Sequence, residues 1–373
     1  VKLDLINTCE NFDSYRAARV RSLFNVEDGS RFELSVDLPI EDADWRLGLI
    51  VGPSGSGKST LGRHLFGTDK TASIEWPTNK PIIDVIDAAG SFDNATAALS
   101  AVGLGSVPSW LRPWHVLSNG ERFRADLARI VCDRPAEIVI DEFTSVVDRQ
   151  IARVGALAFG KAWRRTGGRA ALLSCHYDII DWLDPDWVFD TATGAFTGRY
   201  LRRRPRITVE IRKTDWRWWR YFEPHHYLKM PRMIAADCYV AFVDGEPVAH
   251  LAVSTRPGLV EARACRLVVM PEWQGAGVGT RFLNTVCAAW RRGQNRYRKP
   301  MPVLFHTSHP GLAAALRRDP LWTQVSGVLY GGPKGATEKE LGRGTSTKSG
   351  YGGHFRAVQG FRYIEGIEVR ECA

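Results

Sequence analysis

The feature that most constrains this chain is one turn. Residues 52–60 read Gly-Pro-Ser-Gly-Ser-Gly-Lys-Ser-Thr, directly after the apolar run Trp45–Val51 and before a helix-forming stretch, Leu61–Phe66. A short apolar run of this kind reads as a buried strand. Glycines let successive backbone N–H groups turn inward at the start of a helix, where the helix dipole also favours negative charge. Lys58 adds a point charge for the β and γ phosphates, and Ser59 offers a hydroxyl to Mg2+. Gly52, Ser54, Gly55, Gly57 and Thr60 complete the cradle. A strand, a phosphate-sized turn and a helix in this order predict an α/β layer.

A second apolar strand ends in two carboxylates, in Glu137–Glu142 (EIVIDE). Asp141 is placed to hold Mg2+ through water, and Glu142 to orient or deprotonate an attacking water. Three further segments follow a fixed order: LSNGE at Leu117–Glu121, TSVVD at Thr144–Asp148, and Ser174-Cys175-His176 behind the strand ALLSC. Together these residues resemble the ATP-binding cassette (ABC) ATPases. The resemblance implies that His176 contacts the γ phosphate and that the segment ending in Asp148 corresponds to the D-loop. It also implies a homodimer, in which Ser118 and Gly120 of one copy cap ATP on the other. Two departures stand out. Only 60 residues separate Lys58 from Ser118, and no glutamine lies between them. In transporters that glutamine couples the cassette to membrane domains. Asp84, Asp87 and Asn94 remain open as substitutes, and the aromatic that stacks before the cradle remains open between Phe24 and Tyr15.

The second half carries a similar physical device. Residues 262–283 contain the strand RLVVM, a proline turn, Gln274-Gly275-Ala276-Gly277-Val278-Gly279, and a helix from near Thr280 through Trp290. Ahead of it, Cys238–Val243, the turn Asp244-Gly245-Glu246 and Pro247–Ser254 read as a hairpin. This Q-x-x-G-x-G pattern between strand and helix resembles the GNAT acyltransferases. The resemblance implies that residues 274–280, with Val269 at the strand end, bind acetyl-CoA or another acyl-CoA through its pyrophosphate. Hydroxyl and imidazole groups suited to proton transfer occur in YFEPHHYLKMP (His226, Tyr227) and in TSHPG (Ser308, His309). Tyr330 and His354 follow them. The HYL stretch and PVAH (Pro247–His250) look like Mom-type phage DNA-modifying relatives.

Charge divides the chain unevenly. Residues 1–205 carry 25 Lys and Arg against 27 Asp and Glu, whereas residues 206–373 carry 25 against 14, a net of +11. A basic half suggests a phosphate-rich partner. The arginine-rich Arg199–Arg206 is the expected domain boundary. The glycine-rich stretch Gly331–Gly353 reads as a mobile loop that could close on a polyanion. The run Trp216-Arg217-Trp218-Trp219-Arg220 reads either as a base-stacking platform or as a core strand edge. The seven cysteines form no CxxC pair, which excludes zinc-ribbon and thioredoxin-like readings. No apolar run approaches the roughly 18 residues that span a bilayer, and the polar, acidic start is wrong for a secretory leader. The expected architecture is α/β: an ABC-type P-loop ATPase domain over 1–205, followed by an α+β GNAT acyltransferase domain over 206–373. The expected setting is cytoplasmic, with no membrane. The expected cofactors are ATP, Mg2+ and acetyl-CoA. The expected partner is nucleic acid, DNA before RNA. A protein or small-amine acceptor, and an ATPase switch with a non-catalytic GNAT fold, remain the alternatives.

Overall fold

The apolar runs become the inner strands of two sheets, one mostly parallel and one mostly antiparallel. The structure, a computed structural model, describes residues 2–8, 14–24, 31–41, 43–198, 205–228, 235–255, 258, 260–330 and 356–364. The stretch 331–353, His354, the arginines within 199–204, residues 229–231, Cys9 and Cys372 lie outside the described residues, as do the side chains of Phe24 and Tyr330.

In chain order the elements are β1 (Lys2–Thr8), α1 (Tyr15–Phe24), β2 (Arg31–Asp37), β3 (Leu47–Val51) and α2 (Lys58–Phe66). A helical segment follows: α3 (Ile82–Val85), α4 (Phe92–Ala101), α5 (Val107–Trp110) and α6 (Asn119–Asp133). Then come β4 (Glu137–Ile140), α7 (Arg149–Trp163), β5 (Arg169–Ser174), α8 (Ile180–Leu183), β6 (Trp187–Asp190) and β7 (Ala195–Gly198). The last part holds β8 (Glu210–Thr214), α9 (Trp219–Phe222), β9 (Asp237–Val243), β10 (Glu246–Thr255), β11 (Ala262–Val269), α10 (Val278–Arg291), β12 (Val303–Thr307), α11 (Pro310–Arg318), β13 (Trp322–Tyr330) and β14 (Arg356–Tyr363).

Two compact units result. One comprises residues 1–75, 134–147 and 163–204; the other comprises 76–133, 148–162 and 205–373. They are not the contiguous halves 1–205 and 206–373, because the helical segments 76–133 and 148–162 cluster with the second unit.

The first unit is built on a sheet of order β4-β5-β3-β6-β7, parallel except for the edge strand β7. Every residue of β3 is buried, because strands flank it on both sides. Ile50, Leu61, Leu173, Trp187 and Phe189 pack into its core, with Leu5 and Val36 added by the antiparallel pair β1–β2. The second unit is built on a seven-stranded sheet of order β13-β14-β12-β11-β10-β9-β8. Its parallel pair, β11–β12, is in register only over Ala262–Ala264 and Val303–Phe305. Beyond those residues β11 runs on to Val269 without pairing to β12, which pairs on its other edge with β14. A bulge in β11 opposite β10 places Arg266 at φ 57, a left-handed conformation that costs a non-glycine residue about 1–2 kcal/mol.

The tryptophan-arginine run is not a strand edge. Residues 216–222 form a 3-10 turn followed by the helical turn α9. Trp219 is buried, and Trp216 and Trp218 pack on the core that holds Phe222, Phe242 and Val268. Arg217 is committed to Asp215 at 2.7 Å.

Candidate functional sites

In the first unit, β3 delivers the chain into the turn of residues 52–57, and α2 starts at Lys58 with Gly57 as its N-terminal cap at φ 81. A side chain at this φ is strained, and a Cβ at Gly55, at φ 78, would meet nothing within 4 Å. The turn thus has open space beside Gly55 at a helix N-terminus, a place that suits phosphate oxygens. Lys58 Nζ donates to the carbonyls of Gly52 (2.9 Å) and Pro53 (2.7 Å), which hold the ammonium over the turn. Ser59 and Thr60 lie on the first turn of α2, and Ser54 is exposed on the loop.

The neighbouring strands bring the acids and the histidine. Asp141 and Glu142 follow β4 directly, and the Asp141 carboxylate accepts from the Glu142 N–H at 2.8 Å. Glu142 sits at φ 51 and Thr144 at φ 72. Positive φ at a β-branched residue is a genuine outlier, of a kind that clusters at functional sites. The strain has a visible partner: Thr144 Oγ1 lies 3.2 Å from His176 Nδ1 and 3.4 Å from Ser174 Oγ. His176, at the end of β5, is thereby tied to the turn that follows the two carboxylates. Thr144 opens TSVVD, but no local pattern in that segment announces a left-handed threonine.

The second unit holds the LSNGE segment. Glu121 reaches back to Ser118, accepting from its N–H at 3.0 Å and its hydroxyl at 2.9 Å, a capping box that starts α6. Ser109 Oγ also donates to the Glu121 carboxylate. Burial works to raise this carboxyl, but the Ser109 and Ser118 hydrogen bonds outweigh it and hold it below its ordinary value. Gly120 is buried against Ile151, where a Cβ would fall 2.7 Å from the Ile151 Cδ1. Asp148 caps α7 by accepting from Ile151 N–H at 2.9 Å. Of the candidate glutamine substitutes, Asp87 accepts from Ser91 N–H at 3.1 Å and Asn94 N–H donates to Ser91 Oγ, while Asp84 is exposed on α3. Tyr15 is exposed on α1.

The same unit holds the second glycine-rich turn. Gly277, at φ 84, caps α10, and a Cβ there would meet nothing within 4 Å. The first turn of the 14-residue helix α10 therefore presents its amides beside open space. Thr280 Oγ1 donates to the Gly277 carbonyl, and Gly279 packs on the Val269 side chain. Gln274 is occupied at both ends: its Nε2 donates to the Val269 carbonyl at 3.0 Å, and its Oε1 accepts from Gly105 N–H at 2.9 Å. Gly275, Ala276 and Val278 complete the turn, with Ala276 and Val278 buried.

Side chains far apart in sequence meet at the end of β12. His226 stacks on Tyr227 with ring centres 5.1 Å apart, and Tyr227 lies 6.1 Å from His309. The Tyr227 hydroxyl accepts from Ser308 N–H at 3.3 Å. Leu312 N–H donates to His309 Nδ1, so the proton sits on Nε2, which donates to the Gly105 carbonyl at 3.1 Å. Both nitrogens of His309 are committed. Burial lowers the pKa of both His309 and His226, favouring neutral imidazoles. His250, which closes PVAH, lies in the core. It is fully buried among Trp216, Trp219 and Phe222; its Nδ1–H donates to the Arg266 carbonyl, and its Nε2 has no partner among the described residues. Burial pushes it down to about 4, so it stays neutral. Burial pushes the thiols of Cys238 and Cys265 up to about 12, which favours the protonated thiol near neutral pH.

Residues 235–315 match the acetyltransferase (GNAT) domain family. The chain is 29% identical over 181 residues to the aliphatic sulfonates import ATP-binding protein SsuB 3 of Nocardia farcinica, covering 44% of this chain and 71% of that protein. It is 27% identical over 224 residues to the corresponding SsuB 1 of Streptomyces avermitilis, covering 54% and 84%. The chain therefore joins an ABC ATPase-like N-terminal region to a GNAT-fold C-terminal domain in one α/β architecture. Among solved structures, a dimeric ATP-binding cassette bound to ADP and phosphate aligns over 51% of this chain and 92% of its own, at 12% identity and a TM-score of 0.37. No helix among the described residues is long and apolar enough to cross a membrane.

Proposed function

We propose that the chain is an ATP-dependent acyl-CoA N-acyltransferase, most directly an acetyltransferase, whose acceptor is an amine on a nucleic-acid base, DNA in a phage-type modification pathway before RNA. The observation that carries the reading is the presence of two glycine-capped helix starts, at Gly57 and Gly277, each behind a strand. One suits a nucleotide triphosphate and the other the pyrophosphate of an acyl-CoA. Ser59 and Asp141 would hold Mg2+ through their oxygens, and the ion would supply positive charge to the phosphates. Glu142 serves as the base for ATP hydrolysis and His176, oriented by Thr144, as the γ-phosphate contact. Ser118 and Gly120 of a second copy close the nucleotide site, so the working form is a homodimer in the cytoplasm.

In the acyl transfer, the acceptor nitrogen attacks the thioester carbonyl, the C–S bond breaks, and the amine proton ends on the departing thiolate. His226, Tyr227 and Ser308 line the acceptor side and relay that proton; His309 positions them. Two features support the nucleic-acid acceptor: the +11 net charge of residues 206–373, and the HYL and PVAH resemblance to Mom-type proteins. A flipped-out or single-stranded base is the form such a site takes. The test is mass spectrometry of nucleosides from DNA and RNA of cells expressing the protein, beside a Lys58→Ala control. An acyl-sized mass on a base, lost in the control, is expected. Acylated protein lysines or small amines, with both nucleic acids unmodified, would overturn the acceptor.

A further inference from the structure

One residue of the helical segment touches both sides of the transferase site. Gly105 lies between α4 and α5. Its N–H donates to Gln274 of the acyl-CoA turn at 2.9 Å, and its carbonyl accepts from His309 of the acceptor side at 3.1 Å. Gln274 passes the link on to the end of β11 through Val269, and His309 passes it to α11, whose first turn it caps through Leu312. The seam is backbone against backbone. A Cβ at Gly103 would fall 2.3 Å from the Gln274 carbonyl oxygen, and one at Gly275 would fall 3.1 Å from the Gly103 Cα. Trp110 fixes the segment from behind: its Nε1 donates to the Leu104 carbonyl, and its ring lies 5.5 Å from His309.

A buried charge also acts on the same turn. Arg124, on α6 six residues beyond Ser118, is 2% exposed, and its Nε and Nη2 have no hydrogen-bond partner among the described residues. Its buried charge is opposed by Asp148, Glu272 and Glu121. Glu272 stands two residues before Gln274, Asp148 ends TSVVD, and Glu121 ends LSNGE. Displacing any of the three carboxylates leaves a buried guanidinium less compensated, a costly state.

We infer that Gly105 is a clip that seats the acyl-CoA turn and the acceptor-side turn together on the LSNGE-bearing helical segment, with Gln274 and His309 as positioning residues. The inference rests on the reading of residues 274–280 as the acyl-CoA turn. Movement of the helical segment then moves both turns, so nucleotide and acyl-CoA affinities are linked, each changing the other by the same factor.

The test uses the full chain carrying Glu142→Gln, with acetyl-CoA affinity measured by calorimetry in the presence and absence of ATP and Mg2+. Two variants are added. His309→Asn keeps a capping side chain for α11 but is too short to reach Gly105. Gln274→Ala removes the link to the acyl-CoA turn. In the parent, ATP is expected to change acetyl-CoA affinity at least about fivefold, and acetyl-CoA to change ATP affinity equally. In each variant the factor is expected to fall below about twofold. A factor unchanged in both variants, or none in the parent, overturns the clip alone. Failure of acetyl-CoA to bind the parent overturns the reading of the turn, and the clip with it.

Discussion

Thr144 carries a conformation that its side chain disfavours, and it carries a hydroxyl that explains why. At φ 72 its Oγ1 reaches His176 Nδ1. Thr144→Val keeps the β-branched shape and the strain but removes the contact. ATP turnover is expected to fall roughly tenfold, the equivalent of about 1.4 kcal/mol in barrier. ATP affinity, measured by nucleotide titration, is expected to change little; an unchanged turnover would show that His176 is oriented by other groups. Asp126 offers a different test. Burial raises its carboxyl from 3.8 to about 6, against the opposing pull of Trp76 Nε1, which donates to it at 2.7 Å. Between those values the folded chain keeps a proton that the unfolded chain has lost. This group's contribution to stability therefore falls as pH rises through the window and is flat above it. Asp126→Asn stays neutral at every pH. Its unfolding midpoint should gain on the parent from about pH 4 to about pH 6 and then run parallel. Midpoints that run parallel throughout would place the carboxyl at its ordinary value.

At the scale of elements, the helices that matter begin with identifiable devices, and these were legible because they are local. The caps at Gly57 and Gly277, and the box of Ser118 and Glu121 that the structure adds, are each built from residues only a few positions apart. Glu121→Ala removes the acceptor for Ser118 and Ser109. It is expected to cost about 1–2 kcal/mol, read as a lowered urea midpoint. Glu121→Gln preserves the box and should recover most of that loss. Elements whose character depends on distant partners were less legible. The alternation of Trp216–Arg220 cannot reveal that a core waits beneath it, so the run reads equally well as a strand edge or a stacking platform. His250 sits in the middle of β10, and nothing in PVAH tells which aromatic rings surround its ring.

The whole molecule shows where one contiguous boundary falls short of the chain's packing. Residues 76–133 and 148–162 belong in sequence to the ATPase-like region, yet they cluster with residues 205–373. The fragment 206–373 lacks the α4 face against which α11 packs. Scanning fluorimetry should find it melting roughly 10 °C below the full chain, as the loss of a few kcal/mol implies. A fragment as stable as the full chain would show that the helical segment adds nothing to that unit. The sequence by itself determined both glycine-capped turns, the paired carboxylates at the end of β4 and the hairpin β9–β10. Each is written in residues close enough along the chain that backbone geometry alone links them. Only the tertiary structure decided that Tyr227 meets Ser308 and that Gly105 serves both Gln274 and His309. Those contacts join residues 81 to 204 positions apart, and side-chain chemistry carries no record of which distant backbone will be folded against it.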